Sequence, residues 1–266
     1  MLDLLYNYPG WQVGTVIVIV PMILVCLMLK LFDKVIPHES RLAHNEFTAN
    51  IISVIGINYA VLIAFVAVAV WGSFDKASAV ANTEADVIGN MYHDAPGLGH
   101  AAAVELRMHL KDYVDTVVTQ EWPEMAQGHS PSAGWRPLDD IQDMLARYHA
   151  QSNTESVYLT EILKNLNQVY DARRGRLSAS EAGVEPVVWA IVLLGTCLTI
   201  GFTFLFGMPS LRMHMVMTGG FTAAAMLVLV LIIALDWPFR GEVQVQPSMF
   251  MRTQATMHRL DLRPMP

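Results

Sequence analysis

Apolar positions along the chain gather into four long runs separated by polar stretches, the pattern of helices embedded in lipid. The first run, Val13 to Phe32, is long enough to cross about 30 Å of hydrocarbon at roughly 1.5 Å of rise per residue. Positive charge follows it at Lys30 and Lys34, whereas Met1 to Gln12 has no Lys or Arg, so the run is expected to be an anchor and not a cleaved leader. The second run begins at Asn50 and reaches Gly72, with Gly56, Ala60, Ala64 and Ala67 along one helical stripe that predicts close packing on another helix. The third starts at Pro186, a usual first-turn proline, and carries Thr196, Thr199 and Thr203 at helical spacing. The fourth, His214 to Leu235, places His214, Thr218 and Thr222 on one face and stops at Asp236-Trp237-Pro238. The threonine stripes have two readings, hydroxyls bonded back to their own helix or a face towards water.

Between the second and third runs the period changes to that of amphipathic, water-facing helices. Phe74 to Asp94 continues the second span outward, with Asp75, Lys76 and Glu84 read as parts of a solvated exit helix, until Pro96-Gly97 breaks it. A helix is predicted from about Leu98 to Trp122, then a loop over Gly128 to Pro137, a short helix from Leu138 to Ala150, and a longer one starting at a Ser152/Glu155 capping box. That last helix is expected to end near Arg173, Arg174 and Gly175, where cations suit a helix C-terminus. A final helix is expected over Ser248 to Leu260; with Arg252, Arg259 and Arg263 it either lies along the membrane surface or, by preference, docks on the water-facing bundle.

These elements predict an all-α integral membrane protein with four transmembrane helices and a helical water-facing domain inserted between spans two and three. The expected division is an N-terminal tail (1–12), a first span (13–32), a short polar loop (33–49), a second span (50–73), the inserted domain (74–185), a third span (186–207), a short loop (208–213), a fourth span (214–235) and a C-terminal tail (236–266). Composition agrees, with 53% hydrophobic and 15% charged residues. The net charge of −7 is localised, because residues 74–185 hold seventeen acidic against nine basic residues. Such a segment repels nucleic-acid phosphates, which argues against nucleic acid as a partner.

Candidate chemistry adds little to this picture. The two cysteines, Cys26 and Cys197, each lie in an apolar run and can form neither a disulfide framework nor a zinc site. His93, His100 and His109 match no compact metal-ligand spacing, and no nucleophile elbow, P-loop or dinucleotide fingerprint occurs, so no enzyme, cofactor or metal is expected. Polar residues at membrane boundaries carry more weight. Glu46, Asn50 and Ser53 line the start of the second span, and Asn58, Tyr59 and Phe65 lie within it, making these six the candidates for a pore or vestibule. Arg41, His44 and Asn45 before that span, with Asp236 and Arg240 as a possible pair after the fourth, form candidate membrane-boundary clusters.

Several of these segments recur in order: Arg41…His44-Asn45-Glu46, Tyr59-Ala60-Val61-Leu62-Ile63-Ala64-Phe65, Trp71, Glu84-Ala85, Glu121-Trp122, Arg173-Arg174…Arg176-Leu177 and Asp236-Trp237-Pro238-Phe239-Arg240-Gly241. From about Arg41 to Phe250 the chain resembles the bacterial bestrophin-like family of four-span membrane proteins. The resemblance implies a homo-oligomeric ion channel, with the second span lining a central path for inorganic ions and lipid around it. The alternative is a non-conducting scaffold or sensor that recruits a partner through its acidic helices. No clear copy of the bestrophin pore motif and no calcium clasp of clustered acids is present. Lys30, Lys34 and Arg41 argue that the first loop lies inside the cell. The resemblance instead puts both termini and the inserted domain in the cytosol of a bacterial cell membrane, a reading favoured by the absence of cysteine from that domain.

Overall fold

The computed structural model describes residues 8–262, so most of the N-terminal tail and Arg263 lie outside the described residues. All regular structure among the described residues is helical: α1 (Gly10–Val35), α2 (His38–Leu42), α3 (Asn45–Asp94), α4 (His100–Thr116), α5 (Trp122–Ala126), α6 (Trp135–Arg147), α7 (Asn153–Glu181), α8 (Pro186–Thr203), α9 (Leu211–Asp236) and α10 (Ser248–Asp261). Four of these, α1, α3, α8 and α9, are long and apolar enough to cross a membrane. The residues form two compact units, and the 50-residue α3 contributes to both, changing from one to the other after Gly72.

The first unit holds α1, the first part of α3, α8 and α9. Small residues let its backbones approach, as lipid requires when hydrophobicity cannot drive helices together. A Cβ on Gly14 would stand 3.5 Å from Val230, and one on Gly219 would stand 3.3 Å from the Cys26 sulfur, so α1 and α9 run antiparallel in close contact. The α8 hydroxyls follow the first of the two readings: Thr196, Thr199 and Thr203 donate to the carbonyls of Val192, Gly195 and Ile200, and on α9 Thr222 donates to Thr218. The outward side chains of these helices, among them Leu24, Leu27, Leu194 and Leu227, are exposed and apolar, as a lipid-facing surface must be.

The second unit packs the rest of α3 with α4 to α7, α10 and Trp237–Arg240. Ala77, Ala81 and Ala85 recur every fourth residue on α3 and are fully or almost fully buried, and a Cβ on Gly175 of α7 would meet Val80 at 2.9 Å. Ser152 caps α7 by accepting from the Glu155 amide at 3.1 Å, while Glu155 accepts from the Gln151 amide. The helix α10 docks on this unit: Phe250 and Met257 are buried, the Phe250 ring meets Trp122 edge on, and Thr253 donates to the Ala85 carbonyl.

Several boundaries differ from the periodicity reading. The expected loop ends earlier, because α6 already starts at Trp135, whose ring stacks on Tyr170. The helix predicted from Leu98 to Trp122 starts at His100, after Gly99 at a φ of 85°, and widens into a π turn over Val117–Glu121. Pro123 lacks the amide that would continue the α ladder there, which gives a physical reason for the wider turn. The longest discrepancy is α7, which continues to Glu181 instead of stopping near Arg173.

Candidate functional site

Arg41, on α2 before the second span, is buried. Its guanidinium donates to the carbonyls of Phe204 (2.8 Å) and Phe206 (3.1 Å), pairs with Asp33 and lies 5.5 Å from the Phe32 ring centre. Asn45, four residues on, exchanges two hydrogen bonds with the backbone of Gly207, at 2.9 and 2.8 Å. Arg41 and Asn45 therefore fasten the connection between α8 and α9 to the start of α3. His44 stays exposed and faces the Ser40 carbonyl at 3.1 Å. At the other boundary Asp236 accepts from the Val184 amide at 2.6 Å and from the Trp189 ring at 3.4 Å. Arg240 donates to the Gly128 carbonyl and lies 4.3 Å over Trp237. Asp236, through its own two contacts, closes the start of α8.

The six candidates on α3 do not share one face. At about 100° of turn per residue, Glu46, Asn50 and Ser53 form one stripe, which continues through Ile57, Val61, Ala64, Val68, Trp71, Asp75, Ala79, Asn82, Asp86, Asn90 and His93. Every one of these residues is exposed. Asn58 and Phe65 are exposed too, but sit roughly 100° round the helix from Glu46. Tyr59 lies on the far side: its hydroxyl meets the Thr196 hydroxyl at 2.5 Å, and its ring leaves only 2.7 Å for a Cβ on Gly195. The small-residue stripe expected to pack on a neighbouring helix is uncovered within the chain, for Ala60 and Ala64 are exposed and a Cβ on Gly56 would meet nothing within 4 Å. Such a face suits either another copy of the chain or a water-filled path.

Periodicity reasoning missed a second site, in the water-facing unit. Glu84 is fully buried, contrary to a place on a solvated exit helix. Arg176 grips its carboxylate through Nε (2.7 Å) and Nη2 (3.0 Å) and reaches Glu121 at 2.9 Å. Arg173 makes its own two-pronged contact with Glu121, at 2.6 and 2.5 Å. Tyr113 donates to Glu84 at 2.5 Å, and the Gly134 amide donates to Glu121 at 2.8 Å. Two carboxylates and two guanidiniums thus balance in a pocket roofed by Trp135, 4.6 Å from Arg173, and Trp122, 5.4 Å from Arg176. Burial alone would raise the Glu121 pKa, but the hydrogen bonds from Arg173 and the charge of Arg176 hold it below the usual carboxylate value. Burial likewise opposes the Arg176 charge, and Glu84 more than offsets it, so that guanidinium is held charged. The Tyr113 hydroxyl is pushed well above its ordinary range by burial and by Glu84 beside it. The ends of this network come from Glu84-Ala85, Glu121-Trp122 and Arg173-Arg174…Arg176-Leu177, three of the segments that carried the family resemblance. The signal that could have found it was present: a charged residue stands on each helix where the apolar period calls for a hydrophobic one.

The family profile described as "Bestrophin-like domain" matches residues 19–250. Two solved structures share the fold. One is a crystal structure of a mutated bacterial bestrophin homologue from Klebsiella pneumoniae, 12% identical, with a TM-score of 0.68 and coverage of 91% of this chain and 99% of that one. The other is a crystal structure of a substituted membrane protein, 11% identical, with a TM-score of 0.67 and the same coverage. No curated protein matches the chain by sequence.

Proposed function

The chain belongs to the Bestrophin-like family of membrane proteins, and from that premise we propose that it assembles into a ring of identical copies and conducts ions along the uncovered face of α3. The observation that carries the proposal is the stripe itself, a continuous line of exposed residues along a 50-residue helix. Glu46 and Asn50 at its start are costly against hydrocarbon, whereas a closed ring with α3 at its axis gives them water; the Ser53 hydroxyl is already satisfied by the Ala49 carbonyl. Beyond them Ile57, Val61, Ala64, Val68 and Trp71 supply an apolar stretch of the kind that can gate a narrow path by excluding water. Asn58 and Phe65, about 100° round, then face the neighbouring copy. Tyr59 holds α3 to α8 and stands away from the path. Arg41 and Asn45 fix the start of α3, and the Glu84 network fixes its later turns. In this reading the protein sits in the bacterial cytoplasmic membrane with the water-facing helices and both termini in the cytosol. Purified protein reconstituted into planar bilayers tests the proposal. Unitary currents from an oligomeric preparation are expected; bilayers that stay silent with intact oligomer present overturn it.

A further inference from the structure

We infer that the first unit holds a site for a membrane lipid with a primary-amine headgroup, phosphatidylethanolamine, between the start of α1 and the end of α9. A cavity of about 220 Å³ lies there, walled by Val13 and Ile17 of α1, Val230 and Ala234 of α9, and Gly241–Val243. All of these residues belong to the first unit. A dry apolar cavity of about 150 Å³ is already enough to take up benzene, so this one has room for a stretch of acyl chain. The cavity sits where two spans end. Tyr8 and Trp11, on either side of Gly10, are 61% and 68% exposed, and such rings belong at the level of the lipid headgroups.

Among the described residues that line the cavity, Glu242 alone carries a formal charge. Its Oε2 accepts from the Gly10 amide at 2.7 Å, so it supplies from 232 residues away the acid that the first turn of α1 lacks. A Cβ on Gly10 would stand 2.5 Å from that oxygen, so a side chain there would push the carboxylate away. The contact uses one oxygen and leaves the charge unanswered. Among the described residues Glu242 enters no ion pair and makes no other hydrogen bond. A carboxylate this close to hydrocarbon is costly without a cation. A lipid ending in an ammonium brings that cation together with an apolar tail for the cavity, whereas a glycerol phosphate headgroup brings only further negative charge. A primary ammonium can also donate to the second carboxylate oxygen, which a trimethylated one cannot.

The test is lipid retention by the full-length, detergent-solubilised protein, counted by native mass spectrometry after addition of phosphatidylethanolamine or of phosphatidylglycerol with the same acyl chains. The natural chain is expected to keep one phosphatidylethanolamine per copy, with a preference of about fivefold over phosphatidylglycerol, the scale of a single screened ion pair. Glu242→Gln still offers an oxygen to the Gly10 amide, so α1 stays capped while the preference disappears. Ala234→Leu fills the cavity and leaves the carboxylate in place, and is expected to lower retention of both lipids. Equal retention of the two lipids by the natural chain, or a preference that survives Glu242→Gln, overturns the inference. So does retention that appears only once residues 2–7 are removed, which would make the chain's own N-terminus the occupant. None of these readouts needs a current, so the channel proposal stands or falls separately.

Discussion

Glu84 on α3 and Arg176 on α7 form a two-pronged ion pair at 2.7 and 3.0 Å with neither side chain exposed to solvent. Ninety-two residues apart in sequence, they lock the outward half of the membrane-crossing helix to the longest helix of the water-facing unit. Removing one partner leaves the other as an uncompensated buried charge. Arg176→Ala is therefore expected to destabilise the fold by about 3–5 kcal/mol, and Glu84→Gln by somewhat less because Tyr113 can still donate to it. Paired replacement, Glu84→Leu with Arg176→Met, is expected to recover much of the loss. Denaturant melts of the detergent-solubilised variants check this, and strictly additive single losses in the double variant would contradict it.

The same network gives the fold an acid limit. The folded pKa of Glu121 is held below the ordinary 4.5 because the arginine contacts outweigh its burial. Asp261 is also lowered, its partial burial outweighed by Lys111 and Tyr92. A carboxylate whose folded pKa is depressed contributes stability above its ordinary value and loses it as pH falls through the depressed one. Thermal stability is therefore expected to be flat near neutrality and to fall steadily below pH 4.5. Glu121→Gln should start less stable and show a shallower fall, which melting curves across an acid pH series will report.

Gly207 is sterically required. A Cβ there would collide with the Leu42 amide nitrogen and stand 2.7 Å from the His38 carbonyl oxygen, both of them backbone atoms that cannot swing aside. Gly207→Ala is expected to detach the α8–α9 connection from α2 and to cost about 1–3 kcal/mol, the usual range for overpacking. Gly201→Ala on α8, where nothing lies within 4 Å, is the matched control. Monodisperse yield on size exclusion and melting temperature measure the difference.

The α3 stripe can be probed without any current. Ala64 is exposed on it, whereas the adjacent Ile63 is buried against the chain's own helices. In a background free of Cys26 and Cys197, Ala64→Cys is expected to cross-link copies into disulfide-bonded pairs under oxidation, and Ile63→Cys is expected not to. Equal cross-linking at both positions would remove α3 from the centre of the assembly.

The membrane-crossing character and the all-helical class were readable along the chain because the bilayer imposes them locally: a span needs about 20 consecutive apolar residues wherever it occurs. The capping of α7 by Ser152 was equally legible, since its partner Glu155 lies three residues away. Arg173 and Arg176 were misread because their meaning is not local. Two cations near Gly175 look like a helix terminus until Glu121 and Glu84, 52 and 92 residues earlier, are brought against them, and then the helix continues to Glu181 with both guanidiniums buried.

The second span divides in the same way. Its length, its polar start at Glu46, Asn50 and Ser53 and its outward continuation were written in the order of residues, because a 3.6-residue period follows from backbone geometry alone. Which side of that helix is covered was not. The packing of Tyr59 on Thr196 and Gly195 turns one face towards α8 and leaves the stripe from Glu46 to Trp71 open. The sequence by itself determined that the helix crosses the membrane and carries acids. Tertiary structure decided which way its polar start at Glu46 faces, because that orientation depends on Thr196, 137 residues from Tyr59 along the chain.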